Sequence, residues 1–510
     1  MIVTPYRSRL REGQYGFADL LRAEWTKFRT VRGWVIAVIV GALAIVALAL
    51  VPGQQGSCNV AGCTVPVGPG GEEVSDSLYF VYQPLAGSGS ITVRVTSLTG
   101  QIPVPTQSGG MRAGLVPWAK AGVIIKVSTD PGSAYAAMMV TGSHGVRMQY
   151  DFTQDVPGLP GAVSGASPRW LRLMRSGDTI AGYDSADGTR WTRVGTATLA
   201  GLPPTAHVGL FTTSPQYLQT SLGEASISGG PSLATGVFDH VSLTWRSGSW
   251  AGDNVGGGGG LPASTVGFSQ AAGTFRITGS GDIAPAVSGG AGVGVTIAQT
   301  LAGTLAGLIV LVIVGAMFMT AEYRRRLIRI TFTASPGRGR VLAAKAIVVG
   351  AVTFAAGLVS AAIALVLGQR ILRGNGAYVY PASTLTQVRV IVGTAAVLAA
   401  AAVIALAIGA ILRRGVGAVA TVIVVIVLPY LLTVTDPILP PGPTGWLLRL
   451  TPAAAFAVQQ TLIQYPQVSN TYTATYGYYP LPPWAGLAVL CAWVALALSL
   501  ALFLLRRRDA

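Results

Sequence analysis

Histidine, cysteine and acidic residues are scarce in this chain, and each scarcity removes a class of chemistry. The three histidines, His144, His207 and His240, are scattered and give no metal-ligand spacing. Acidic residues number 19 against 35 Lys and Arg. Glu72, Glu73 and Glu224 are isolated, and most Asp residues sit at turns, where the side chain caps backbone groups. No pair of carboxylates facing each other across a sugar site, as a glycosidase needs, is visible. The Gly-x-x-x-x-Gly-Lys-Ser/Thr phosphate loop is also missing. None of Lys27, Lys120, Lys126 or Lys345 follows such a glycine pattern, so the chain is not expected to hydrolyse ATP by itself.

What the chain has in quantity is apolar sequence. Six runs stand out: Trp34–Val51, Ile297–Thr320, Val341–Leu367, Val388–Leu412, Val416–Val434 and Trp484–Leu505. Each reaches or approaches the roughly 18–25 uncharged residues that carry a helix across a ~30 Å hydrocarbon layer. Mean hydropathy is +0.55 and only 11% of residues are charged, yet the formal charge is +16. A nucleic-acid partner is not the reason for this excess, because the basic residues follow the spans. They collect in the N-terminal arm, in the segment after the second run, at Arg413 and Arg414, and at Arg506, Arg507 and Arg508. With six spans all four places fall on one side, and the short loops of the other side offer only Arg370, Arg373, Arg389 and Arg449. This is the positive-inside pattern. It predicts a multi-pass plasma-membrane protein with both termini cytoplasmic and the long insert between the first two spans, from Pro52 to about Gly292, extracellular. Residues 1–33 are too long and too structured for a signal n-region, so the first run reads as an uncleaved anchor. Cys58 and Cys63, close together on the oxidising side, favour a disulfide over two unpaired thiols. Cys491, inside the last run, reads as a small packing residue.

Two cytoplasmic pieces carry pattern beyond hydropathy. In the arm, Phe17, Leu20, Leu21, Glu24, Trp25 and Phe28 recur at helical spacing, with Arg22, Lys27, Arg29 and Arg32 among the other positions. This suits a helix lying in the cytoplasmic interface. After the second run, Ala321-Glu322-Tyr323-Arg324-Arg325-Arg326-Leu327-Ile328-Arg329 leads into a short apolar stretch, which Ser335-Pro336-Gly337 breaks before an Arg-rich start to the third helix. The arm segment Leu21 to Arg32 and this loop resemble the cytoplasmic arm and coupling loop of ABC transporter permeases of the type-2 exporter class, especially actinobacterial ones. The resemblance covers the arm and the six-span framework, roughly half the chain. It implies a half-transporter: two copies form the path, and two copies of a separate cytoplasmic ATPase subunit, carrying ATP and Mg, drive it. The residues it places against that subunit are Glu24, Trp25, Lys27, Arg29, Glu322, Tyr323, Arg324, Arg325, Arg326, Arg329, Arg413 and Arg414. Members of the class export lipids, glycans, peptides and antibiotics, and no residue pattern here selects among these. Near-absence of ionisable groups inside the spans disfavours ion-coupled transport. Gly303-Thr304-Leu305-Ala306-Gly307 permits close helix approach, either between two copies or within one. Trp446 to Ile463 is apolar but broken, and reads as an interfacial or re-entrant outer helix. Tyr465, Tyr472, Tyr476, Tyr478, Tyr479 and Trp484 read as an outer aromatic belt.

The insert has a different texture. Short β-like runs, among them Ile91–Leu98, Gly122–Ser128, Ala134–Thr141 and Trp170–Arg175, are separated by turn signals such as Asp130-Pro131-Gly132, Ser176-Gly177 and Asp187-Gly188. Such spacing predicts an antiparallel sandwich. Trp170 to Ile180 and Tyr183 to Thr192, with Trp118 to Val123 and Phe238 to Val241, resemble concanavalin A-like jelly-roll modules over about Ser75–Trp245. Trp118, Trp170 and Trp191 are candidates for stacking on a sugar, against the plainer reading of core tryptophans.

The expected fold class is therefore an α-helical polytopic membrane protein, with six transmembrane helices and a large all-β jelly-roll extracytoplasmic domain between helices 1 and 2. Its boundaries are arm 1–33, first span 34–51, outer domain 52–292 (core about 75–245), second span 293–320 and coupling loop 321–340. Then follow spans 341–367, 388–412 and 416–434, an outer loop 435–483, the last span 484–505 and tail 506–510. The expected activity is export, with neither catalytic residues nor metal in this chain. Membrane lipid is an expected partner and nucleic acid is not. The competing reading is a membrane-anchored lectin-like receptor of the cell envelope without transport.

Overall fold

Runs of Ala, Val, Leu and Ile without competing polar groups satisfy their backbone internally as helices, and the insert's alternating β-branched runs satisfy theirs between strands. The computed structural model describes residues 16–50, 65–104, 110–199, 201–220, 227–245, 248–257, 260–288, 294–325, 327–328, 337–434, 441–470 and 472–508. Cys58, Cys63, Arg326, Arg329 and the Ser335-Pro336 break lie outside the described residues. The chain divides into two units. One comprises residues 1–57, 296–462 and 473–510, and the other comprises 58–295 with 463–472.

The first unit is helical. Its elements are α1 (Phe17–Thr30), α2 (Arg32–Ala49), α3 (Thr304–Arg324), α4 (Arg338–Gly374), α5 (Thr384–Leu412), α6, α7 (Pro441–Leu450) and α8 (Pro483–Arg508). Helix α6 runs as Gly415–Val422, a π-helical stretch Ile423–Val427, and Leu428–Val434. Among the described residues six helical segments are long and apolar enough to cross a membrane. Four lie within four residues of the expected bounds, Thr384–Leu412 begins one turn earlier than expected, and Arg338–Gly374 is extended most, with the arginines at both ends belonging to the helix. Glycines set the closest approaches. A Cβ on Gly315 of α3 would lie 2.2 Å from the Ala402 carbonyl oxygen of α5. At Gly303 and Gly307 an added Cβ would meet Ile45 of α2 at 2.6 Å and 2.4 Å, so that small-residue stretch serves packing within one copy. The broken apolar segment after α7 forms a 3-10 helix, Pro452–Gln459, buried along its whole length. Gln459 holds it there by donating to Thr304 of α3 and Thr394 of α5.

The second unit is an antiparallel two-sheet sandwich, with the short strands β4 (Met111–Ala113), β13 (Tyr217–Thr220) and β14 (Ile227–Gly230) beside its main sheet order. One sheet orders β11 (Thr192–Thr198), β10 (Thr179–Ser185), β9 (Arg169–Ser176), β3 (Gly89–Pro103), β15 (Leu233–Leu243), β18 (Thr274–Gly279) and β17 (Gly267–Ala271). The other orders β16 (Ala251–Val255), β2 (Leu78–Ala86), β12 (Thr205–Thr213), β5 (Lys120–Lys126), β6 (Tyr135–Thr141), β7 (Val146–Tyr150) and β8 (Gln154–Pro157). Turns fall where the sequence placed them: Gly132, Gly177 and Gly188 all have positive φ. Alternate residues such as Val93, Val95, Val123, Ile125, Met138 and Leu210 fill the space between the sheets. The opposite face of the second sheet is buried as well, by Phe80, Ile124, Tyr135, Met139, Phe152 and Phe211. Burial on both faces explains why β5 and β6 read as continuous apolar runs rather than alternating ones.

Three features depart from the expected boundaries. Strands β16, β17 and β18 lie beyond Trp245, yet they are integral members of the sheets, so the core runs on to Gly279. The strand β1 (Val74–Asp76) pairs with β19 (Ile283–Pro285), bringing the two ends of the insert together. Finally, residues 463–472 belong to the sandwich unit. Gln467 donates to the Thr153 carbonyl and Asn470 to that of Ser288. Tyr465 and Tyr472, read as belt residues, instead bond to each other inside this unit, and Tyr478 and Tyr479 are buried in the helical one. Trp484 alone of that set remains widely exposed, at 62%.

Candidate functional site

The arm helix α1 positions the most concentrated chemistry of the helical unit. Its first turn is closed by Gly16 donating to Asp19, and Lys27 and Arg29 in its last turn face the negative end of the helix dipole. Helical spacing puts Glu24 and Phe28 on the inner face, both buried. There Glu24 accepts from Lys27 and from Lys345 of α4, each at 2.7 Å. Glu322 at the end of α3 accepts from the same two ammonium groups, at 2.6 Å from Lys345 and 3.2 Å from Lys27. Two carboxylates and two ammonium groups thus form a neutral quartet joining three helices. Lys345 also lies 4.7 Å from the Phe318 ring centroid, and Phe28 and Trp34 pack on that ring at 5.6 Å and 6.2 Å. For Lys27, burial pulls the ammonium down, but Glu24 and Glu322 more than offset this and hold it above its ordinary value.

The quartet takes two acidic residues of the expected partner surface inward. Glu24 is fully buried and Glu322 nearly so, and both are occupied by lysines of their own chain, so neither faces outward. Lys345, one of the basic residues that follow the second run, is the residue that ties the quartet together. Its one early signal was position: it lies two turns inside an apolar helix, where an unpaired ammonium is costly. Around the quartet, Trp25, Arg29, Arg324, Arg325 and Arg414 are exposed, and Arg413 lies over the Tyr323 ring at 5.2 Å. At the same end Arg338 donates to the Leu505 carbonyl of α8.

In the sandwich the three candidate tryptophans do not converge. Trp118 is buried, with its face covered by His144 at 3.9 Å. Trp170 lies on β9 and Trp191 directly precedes β11, and both carry a guanidinium: Arg94 at 5.7 Å from Trp170 and Arg172 at 3.8 Å from Trp191. Four of the carboxylates are engaged in structure. Asp76 and Asp282 take the buried Lys126 and Lys120, Asp155 takes Arg147, and Asp187 accepts the backbone amides of Thr189 and Arg190. Arg94 binds Asp239 through two nitrogens, at 2.7 Å and 2.6 Å, and holds its carboxyl below the usual carboxylate range against the opposing effect of burial. Among the described residues no group of three or more His, Cys, Asp and Glu side chains is placed to hold a metal.

No family model matches this chain, and no curated protein matches it. Solved structures do. One is a functionally unknown protein from Saccharomyces cerevisiae, 16% identical over 33% of this chain and 74% of its own, with a TM-score of 0.20. A second is scytalido-glutamic peptidase, 8% identical over 40% of this chain and 98% of its own, with a TM-score of 0.24. A third is the GH43 BlXynB protein from Bacillus licheniformis, 16% identical over 31% of this chain and 27% of its own, with a TM-score of 0.19.

Proposed function

We propose that this chain is the membrane-spanning permease subunit of an ATP-driven exporter of the type-2 ABC class, acting as two copies with two copies of a separate ATPase subunit. The buried quartet of Glu24, Lys27, Glu322 and Lys345 is the observation that carries this reading. Its ion pairs join α1, α3 and α4 at that end, and moving one helix off the others would strand a buried charge, a change that typically costs about 3–5 kcal/mol. A push on the exposed residues around the quartet then moves two membrane helices together with the arm. That is what a motor subunit docked on Trp25, Arg29, Arg324, Arg325 and Arg414 requires. The sandwich, in this reading, is an extracellular binding or gating module of concanavalin A-like type, and the substrate is a lipid, glycan, peptide or antibiotic-like molecule moved outward.

The test is co-purification of a nucleotide-binding ATPase subunit with the tagged chain from its native membranes. Charge reversal of Arg324 and Arg325 to Glu should leave the fold intact and abolish substrate-stimulated ATPase activity in the complex. A chain that captures no nucleotide-binding subunit, or whose function survives both reversals, would instead be an anchored receptor.

A further inference from the structure

Six residues at the other end of the helical unit surround a groove of about 410 Å³: Leu385, Thr386, Val388, Arg389, Val392 and Trp484. This is the end where α2 finishes and α3 begins, since Gly303 packs on Ile45 and Gln459 bridges Thr304 to Thr394. We propose that the groove binds an anionic phospholipid, its phosphate on Arg389 and its acyl chain along Val388 and Val392 beside the Trp484 indole.

The guanidinium supplies the first argument. Arg389 sits in the second turn of α5 and donates through Nη2 to the Gln460 carbonyl. Its Nε is buried and has no hydrogen-bond partner among the described residues. No described carboxylate pairs with it, and between Tyr323 and Arg508 the sequence holds a single acidic residue, Asp436, outside the described residues. A cation so placed in a membrane helix is costly without a counter-charge, and a phosphate accepts from two guanidinium nitrogens at once. The groove walls supply the second. Leu385 and Val388 are 83% and 52% exposed, which is unfavourable in water and ordinary beside an acyl chain. Trp484 places an amphipathic ring at the depth where headgroup meets hydrocarbon. The third concerns headgroup charge. With no described carboxylate here to receive a choline cation, a net-anionic headgroup is preferred over a zwitterionic one. In the orientation read from the charge distribution, the site faces the outer leaflet. The inference stands whether or not the chain is an exporter.

The full-length protein, delipidated in detergent, is titrated with phosphatidylglycerol, or with phosphatidylcholine of the same acyl chains, and adducts are counted by native mass spectrometry. Phosphatidylglycerol should bind more tightly than phosphatidylcholine, and Arg389→Gln should weaken it about tenfold, the worth of a charged hydrogen bond. Val392→Trp fills the groove while keeping the guanidinium and its bond to Gln460, so it tests the site even where Arg389→Gln folds poorly; it too should weaken binding. Equal binding of both lipids overturns the proposal, as does phosphatidylglycerol binding that neither variant changes. Competition by millimolar inorganic phosphate would show a headgroup-only anion site and overturn the lipid assignment. So would a loss of dimer on Arg389→Gln with lipid adducts unchanged, which would mark the groove as a contact between copies.

Discussion

At the scale of single residues, the quartet and the glycine contacts make opposite demands on substitution. Lys345 is fully buried with two carboxylates, so Lys345→Met leaves Glu24 and Glu322 short of a counter-charge. The expected cost is about 3–5 kcal/mol. Replacing Glu24 and Lys345 together by Leu and Met should cost less than the sum of the single changes, because neither charge is left stranded. Thermal midpoints of the purified chain in detergent measure both, and strict additivity would show that the two side chains do not interact. At Gly315 the demand is for emptiness. A methyl group there would press on the Ala402 backbone, and a backbone cannot rotate away as a side chain can. Gly315→Ala should therefore lower the midpoint although alanine is the better helix former, and an unchanged or higher midpoint would contradict the α3–α5 contact.

At the scale of elements, the strand pair β3–β15 is joined across its outer face by Arg94 and Asp239, which are direct neighbours in register. The carboxyl of Asp239 is depressed by that guanidinium, and Asp187 is depressed by the amides of Arg190 and Thr189. A depressed folded-state carboxylate contributes stability above its unfolded pKa of about 4, and that contribution is lost as pH falls. Followed by tryptophan fluorescence, this contribution should fade between pH 6 and pH 3, opposed by Glu72, Asp151 and Asp184 of the same unit, whose carboxyls burial raises. Asp239→Asn should melt below the parent at pH 6, with the gap closing toward pH 3; a gap that stays constant would rule out this linkage. The lysines at the two ends of β5 act on a larger element. Lys120 reaches Asp282 and Lys126 reaches Asp76, so both strands of the β1–β19 ribbon are pinned to the sheet by buried ion pairs.

At the scale of the whole molecule, that ribbon explains how so long an insert fits between two neighbouring helices. Pairing of β1 with β19 brings the two ends of the sandwich together, and Gly303 packed on Ile45 keeps α2 and α3 adjacent. Insertions whose ends meet are tolerated by the host fold. Excising residues 75–245, the limits suggested by motif, would strip β16 and β19 of their partners and leave β18 paired with β17 alone. That variant should aggregate on size-exclusion chromatography. Excising 65–295 with a short linker should leave a monodisperse helical unit, although Gln467 and Asn470 lose the carbonyls they bind. Aggregation of both variants would show that the helical unit depends on the sandwich for its fold.

Hydropathy determined six apolar helices, and turn residues determined an all-β insert, because both signals are local: one needs consecutive apolar residues, the other a period and a glycine. The amphipathic arm was legible for the same reason. Which arm residues face inward was not, since Glu24 and Trp25 are adjacent in sequence and only the packing of α3 and α4 buries one and exposes the other. The sequence showed Lys345 as a charge in a run of charges; the fold brought it to Glu24, 321 positions away. The same holds for the segment 463–472 and for Lys120 and Lys126, whose partners lie far along the chain. Periodicity reports which face of an element is apolar. It does not report which buried charge another element supplies, and only the tertiary structure decided that.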